Sequence, residues 1–374
     1  MKSHRISYMR VIGILTVILL VAGLFLAMAS CGDEATQDDG DSGEELTTST
    51  NGQDGEAQED GSGEDVISLS VVAAWPLQAD QTFLYHEYID RANEKAEELG
   101  IPLVFEKTGG PEVVKASQMF EAMRNGTIDM AYSAAGYYSG EVPEMSVLRA
   151  IKPDAEQIRQ AVNETGLVDE FNSFLQERSK VRLLGLALTG RGFKLLSTKR
   201  IDGTDWSGLK VRAPGAALSK GVETLGGAPV MIPAVETFTA LQQGVVDAVI
   251  GTAMDRRGLG EIDVYEYIQM PPFAASTSGF FIGKETYDSL PEESRKFLDD
   301  VSKDFQEWQY DWCVKAEQEA MDAYIKEGVE VIELSEEDVE KETAAFREGY
   351  LDYVVEEAPD DGPRLKEMIM PYVR

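Results

Sequence analysis

Arg212 is the side chain whose type and setting best suit it to a chemical task. It follows the short strand-like run Leu209–Val211, and Ala213-Pro214-Gly215 breaks the run immediately after it. A guanidinium in that place offers a planar, two-toothed match to a carboxylate, stronger in a cleft than in open water. In α/β layers ligands sit beyond the carboxyl ends of strands, which is where such a residue stands. Taken alone, an Arg near a strand end is more often a surface or structural residue than a functional one.

Other candidates lie in loops that follow strand-like runs: Trp75, Tyr132, Ser133, Tyr137, Arg191, Phe193 and Phe238. Each has a packing or surface alternative, and Tyr137 and Phe238 stand beside apolar runs. The inventory for catalysis is thin. The chain has two His, His4 and His86, and two Cys, Cys31 and Cys313. A His-based triad, a His–carboxylate zinc site or a Cys–His pair cannot be assembled from these. His86 falls on a helix and is expected at its surface; Cys313, in a predicted helix with Trp308 and Trp312, is expected to pack. Gly109-Gly110 and Gly226-Gly227 read as turns rather than phosphate loops, so no cofactor and no metal is expected. Acids are abundant, but nothing singles out a pair, which makes a carboxylate-dependent hydrolase or lyase the poorer reading.

The elements that would position Arg212 span Asp205–Gly251. Leu209–Val211, Pro229–Ile232 and Val245–Ile250 read as strands, and Ala217–Leu225 and Val235–Gln243 as helices between them. This alternation predicts a mostly parallel α/β layer. The region from Ile67 opens the same way: strand Ile67–Ala74, helix Thr82–Leu99, strand Leu103–Phe105, helix Val113–Arg124, strand Ile128–Tyr132. Ala122–Met130 then lines up with Ala240–Ala248, each a helix end, a Gly, two residues and an Asp opening a strand. Gly is favoured after a helix because it takes the left-handed conformation cheaply. Two copies of this junction predict two lobes of similar build with a cleft between them, a standard place for a small ligand. Further on, Ala155–Glu177 reads as largely helical, Val181–Leu188 and Ser276–Gly283 as strands, and Arg295–Lys326 as one long helix able to lie across both lobes. Strand Glu330–Leu334 and helix Glu336–Val355 follow.

The N-terminal part has a different character. Lys2, Arg5 and Arg10 precede the apolar run Val11–Ala29, and Met28-Ala29-Ser30-Cys31 follows the pattern of a bacterial lipobox except for Met28 in place of the usual Leu. The expectation is a signal peptide over 1–31, cut before a lipidated Cys31. An uncleaved anchor is the alternative, and either holds the rest at a membrane surface outside the cytoplasm. Residues 32–65 hold thirteen acids and no Lys, Arg or aromatic, the composition of a disordered tether. The whole chain has 67 acidic and 34 basic residues, a net charge of −33, which argues against nucleic acid as a partner.

From Val66 to about Val355 the chain resembles a solute-binding protein of tripartite ATP-independent periplasmic (TRAP) transporters, DctP-like family. The resemblance is carried by Gly208-Leu209-Lys210-Val211-Arg212-Ala213-Pro214, Leu225-Gly226-Gly227-Ala228-Pro229-Val230, Glu236 through Asp247, Gly126-Thr127-Ile128-Asp129-Met130 and Leu290-Pro291. It implies an α/β, two-lobed periplasmic-binding-protein-like fold of the class II type, with a long lobe-bridging helix. The expected division is 66–190 plus about 277–316 for one lobe and 191–276 plus about 317–374 for the other. It also implies a small organic acid bound between the lobes, with Arg212 on the ligand carboxylate, and delivery to the membrane subunits of an ion-coupled permease. A second family Arg would fall at Phe193, with Arg191 two places away and able to substitute if the strand register holds. The family's polar residue after the third strand is replaced by Val249, Ile250 and Gly251, which hints at a less polar ligand with an apolar body. An ABC-type or sensory solute-binding lipoprotein is the alternative within the binding class.

Overall fold

The computed structural model describes residues 66–373. The signal, lipobox and tether, including Cys31, lie outside the described residues. No helix among the described residues is long and apolar enough to cross a membrane.

Two sheets organise the chain. The first has the order β2-β1-β3-β10-β4, built from β1 Ile67–Ala73, β2 Leu103–Gly109, β3 Met130–Ser133, β4 Val181–Leu188 and β10 Thr277–Gly283. The second has the order β11-β9-β5-β8-β6-β7, built from β5 Lys194–Ser197, β6 Lys210–Arg212, β7 Ala228–Val230, β8 Ala248–Gly251, β9 Tyr267–Met270 and β11 Glu330–Glu333. In each sheet a central strand (β1 or β6) lies parallel to both neighbours, and an antiparallel strand (β10 or β5) flanks the third. The architecture is the mixed α/β, two-lobed one expected from the sequence.

The repeated junction has the same physical role in both copies. Asp129 accepts hydrogen bonds from the Ser70 backbone N–H at 2.9 Å and its hydroxyl at 2.7 Å. Asp247 accepts from the Lys210 backbone N–H at 3.0 Å. Each Asp thus fastens the start of a third strand to the residue before the paired stretch of the central strand, which sets register.

Helix Phe83–Leu99 buries Leu84, Tyr85, Tyr88, Ile89, Ala92 and Ala96 against the first sheet and stops at Gly100, whose φ of 68° is left-handed. The segment expected to be largely helical from Ala155 divides into Ala155–Thr165 and Leu167–Phe174 at Gly166, φ 72°, which a helix interior does not tolerate. His86 is half-buried rather than free at the helix surface, because its Nε2 meets the Leu77 carbonyl at 3.0 Å.

Helix Glu292–Lys326 has 35 residues and extends roughly 50 Å. One stripe of it faces the chain that crosses between the sheets. Gln306 and Gln309 accept from the backbone N–H groups of Leu186 and Leu188, at 2.8 and 2.9 Å, so they satisfy the outer strand β4. Gly190 N–H points at Cys313 Sγ (2.9 Å), whose thiol donates to the Leu188 carbonyl (3.2 Å). Cys313 is therefore packed, as its setting suggested, and also tied to the crossing; burial pushes its thiol up to about 12. The crossing itself comprises Thr189–Phe193 beside the return segment 274–276. It is joined by Thr189 N–H to Ser276 O (3.2 Å), Phe193 N–H to Ala274 O (2.7 Å) and the two hydroxyls of Thr189 and Ser276 (2.5 Å).

Candidate functional site: a cation-lined cavity between the sheets

Arg212 is the last residue of β6, one place later in the strand than the sequence pattern indicated. Its guanidinium is held by two carbonyls, Nε to Ile232 O just past β7 at 3.3 Å and one terminal nitrogen to Ile250 O within β8 at 3.4 Å. It is 3% exposed, and no carboxylate among the described residues is within ion-pair distance. Burial and the neighbouring Arg256 push its pKa down to about 10, against the pull of Tyr137, Asp255 and Glu261. It remains a cation at neutral pH, with several N–H donors free of protein partners.

Arg256 and Asp255 stand on helix Ala253–Gly258, which starts directly after β8. Thr252 caps it, its hydroxyl accepting from Asp255 N–H at 3.1 Å. Arg256 is fully buried and contacts Asp255 at 3.3 Å and Glu261 at 3.4 and 3.5 Å. These two carboxylates raise its pKa despite burial. Tyr265 donates to Glu261 at 2.5 Å, behind the pair. Gly251 provides the floor: a Cβ there would lie 2.8 Å from Arg256 Nε, so the guanidinium stem rests on bare backbone.

The opposite wall comes from segments of the first sheet and the crossing. Trp75 meets Tyr132 edge-on at 5.3 Å and Tyr137 at 6.3 Å between ring centroids. Arg149 projects from the turn of helix Pro143–Ala150, its guanidinium carbon 5.5 Å from the centre of the Phe193 ring. Trp75, Tyr137, Arg149 and Phe193, with Thr189, Ser276 and Thr277, surround a cavity of about 40 Å³ that Arg212, Asp255 and Arg256 close from the second sheet. A larger recess of about 350 Å³, around Asp263, Glu266, Glu327 and Glu330, is an open acidic surface in which no cations converge.

Of the residues expected from sequence, the cavity gathers Arg212, Phe193, Trp75 and Tyr137. Arg191 is exposed at the crossing and does not line it; Gly190 and Gly192, with φ of 109° and 115°, break the regular alternation on which a strand-register argument depends. Tyr132 is sealed behind Trp75, where its hydroxyl accepts from Ser278 at 3.0 Å. Phe238 is half-buried on helix Thr237–Gln242 and lines no part of the cavity. Gly251 acts through Arg256 rather than facing the cavity itself. Arg149, Asp255 and Arg256 escaped the sequence reading. Thr252-x-x-Asp255 after a strand is a capping signal that marks the Arg256 helix, whereas nothing in the pattern around Arg149 distinguishes it. The less polar interior expected from Val249–Gly251 does not extend to the cavity, because other segments supply its polar groups.

A two-lobed α/β fold with buried cations converging on a small cavity between its sheets is the architecture of a solute-binding protein. Residues 110–357 match the model of the bacterial extracellular solute-binding protein family 7, DctP, and the chain belongs to that family. A solute-binding protein of Albidiferax ferrireducens is 24% identical over 256 residues, covering 67% of this chain and 75% of that one. Among solved structures, a TRAP periplasmic solute-binding protein from Desulfovibrio salexigens with bound orotic acid superposes with a TM-score of 0.74 at 18% identity, covering 82% of this chain and 98% of the other. One from Rhodoferax ferrireducens with bound malonate gives 0.72 at 19% identity, with 82% and 98% covered. At these identities the structural likeness speaks to the fold.

Proposed function

We propose that this chain is an extracytoplasmic receptor that binds a small organic acid between its lobes and passes it to a TRAP-type, ion-coupled permease. The observation that carries the reading is Arg212: a buried guanidinium, held by two carbonyls, without a carboxylate of its own, facing a cavity walled by Trp75, Tyr137 and Phe193. A desolvated, unpaired guanidinium favours an incoming carboxylate as its counter-ion. Closing and opening of the lobes around that ligand gives the permease two states to distinguish. The similar structures with bound orotic acid and malonate support an organic acid as the ligand class. Export and a lipid on Cys31 complete the proposal, resting on the N-terminal sequence.

Calorimetry of the mature domain against a panel of organic acids tests it, with the ligand first found by thermal shift. Arg212→Lys is expected to weaken binding by about 2–3 kcal/mol with the fold retained, because a point-like ammonium loses the two-toothed geometry. Unchanged affinity would remove the carboxylate clamp, and turnover of the bound acid would point to an enzyme instead. An adjacent gene pair for small and large permease subunits separates TRAP delivery from ABC-type or sensory use.

A further inference from the structure

Buried glutamines serve this fold by satisfying backbone groups, with one exception. Among the described residues four are buried: Gln81, Gln269, Gln306 and Gln309. Gln306 and Gln309 accept from strand β4, and Gln269 Nε2 donates to the carbonyls of Ile201 and Gly203 at 2.8 and 3.0 Å. Gln81 is fully buried, yet neither its Nε2 nor its Oε1 has a hydrogen-bond partner among the described residues. No other described side chain has two buried polar atoms without a partner. Burying an amide in this way is unfavourable, because the hydrogen bonds it gives up on leaving water are not replaced.

Its place in the fold supplies a reason. Gln81 belongs to the helical turn Asp80–Thr82, which follows β1 of the first sheet and meets helix Ala253–Gly258, which follows β8 of the second. The turn is pinned: Ala79 N–H donates to Pro76 O at 3.0 Å, Thr82 N–H to Ala79 O at 2.9 Å, and the Thr82 hydroxyl to Pro76 O at 2.9 Å. A Cβ on Gly258 would lie 2.9 Å from Gln81 Oε1, so the amide is held against bare backbone of the opposite helix. Beside it Arg257 pairs with Asp80 at 2.6 Å, partly exposed. The contact thus combines an attractive ion pair with a buried amide that opposes it. The same helix carries Asp255 and Arg256 on the wall of the cavity, so this contact also sets how that wall stands against the first sheet.

We propose that Gln81 is a release element: the approach of the two lobes strips its amide of hydrogen-bond partners, so the joined arrangement holds only while a ligand's contacts support it. The role rests on the reading of the chain as a receptor that takes up a ligand and hands it on. When the two segments part, the amide regains water. A bound ligand must offset the burial of that amide before its own contacts show as affinity, which weakens apparent binding and speeds dissociation. An apolar side chain in the same place would keep the lobes joined longer, a disadvantage in a receptor that has to surrender its cargo.

The test measures the joined arrangement without ligand, on the whole processed chain in detergent. Asp80→Cys and Arg257→Cys are introduced together, and the rate at which a short thiol-to-thiol crosslinker bridges them reports how often the two segments meet. Adding Gln81→Met, which keeps the length of the side chain and removes both polar groups, is expected to raise that rate about tenfold, as relief of one orphaned amide implies. Thermal melting checks folding, and Gln81→Leu, equally apolar, is expected to act in the same direction and decides the matter if Gln81→Met does not fold. In the otherwise wild-type chain, Gln81→Met is expected to bind the organic acid found by thermal shift about tenfold more tightly, through slower dissociation. Crosslinking as fast with Gln81 as with Met, or affinity unchanged or weakened by Gln81→Met, would overturn the proposal. Failure of every acid to bind the wild type would instead remove the reading of the site, and the crosslinking comparison would still decide the role of Gln81.

Discussion

Lys194, at the start of β5, and Glu317, on the long helix, form an ion pair almost sealed from water where the chain crosses between the sheets. Glu317 also accepts from the backbone N–H groups of Ala253 and Met254, at 3.1 and 3.0 Å, at the first turn of the helix that carries Asp255 and Arg256. One carboxylate thus connects the bridging helix, the crossing and the cavity wall. Removing one partner of a buried pair leaves the other uncompensated, at about 3–5 kcal/mol. Glu317→Ala is expected to cost that much in urea unfolding. Lys194→Met is expected to cost less, because Glu317 keeps its two backbone donors. The double variant Lys194→Met/Glu317→Ala should be more stable than the sum of the single losses implies; strict additivity would show that the pair is not coupled.

Gly258 lets the helix after β8 lie against the turn after β1. Arg257 Nε pairs with Asp80 at 2.6 Å, linking the helix after β8 to the turn after β1. A Cβ on Gly258 would lie 2.3 Å from the Asp80 backbone nitrogen, and backbone cannot yield as a flexible side chain does. Gly258→Ala is therefore expected to disfavour this approach of the two segments and lower ligand affinity by about tenfold or more, with little change in the melting temperature of the ligand-free protein. An equal loss in both measurements would show that Gly258 serves folding rather than closure.

Much of the architecture was legible because it rests on local rules. The strand–helix alternation, the Gly100 stop, strand Val181–Leu188 and the two Gly–x–x–Asp junctions each follow from short-range patterns. Arg212 stood out because a strand ended on it. The other wall of the cavity was not legible, for a physical reason. Arg149 enters from a helical turn whose residues are buried on all sides, so its sequence shows no amphipathic period. Arg191 looked better than Arg149 on spacing, but Gly190 and Gly192 turn the backbone and leave Arg191 in solvent. Gly251 was expected at the ligand but does not line the cavity, and its place under the Arg256 side chain is visible only in the structure.

Gly251 accordingly gives a test of Arg256. Adding a methyl there places it within 2.9 Å of Arg256 Nε, Cδ and Cγ, atoms clamped between Asp255 and Glu261. Gly251→Ala is expected to displace the guanidinium, weaken ligand binding several-fold and destabilise the fold by about 1–3 kcal/mol, as overpacking does. Arg256→Met should suppress the affinity penalty of Gly251→Ala if the methyl acts through Arg256; independent effects of the two changes would place its action elsewhere.

Glu342 makes stability depend on pH in a direction opposite to most carboxylates. It is buried on helix Glu336–Glu357 with Oε1 unpartnered, and burial, helped by Asp338, raises its pKa to about 8. The unfolded chain holds this group near 4.5, so between those values the native state binds more protons than the unfolded one. Its contribution therefore favours the fold at pH 5 and is lost as pH rises through 8. Glu342→Gln removes the titration. Its unfolding free energy relative to the wild type is expected to rise steadily from pH 5 to pH 8 and level off above, by on the order of a few kcal/mol in all. A constant difference across that range would mean that Glu342 does not titrate there.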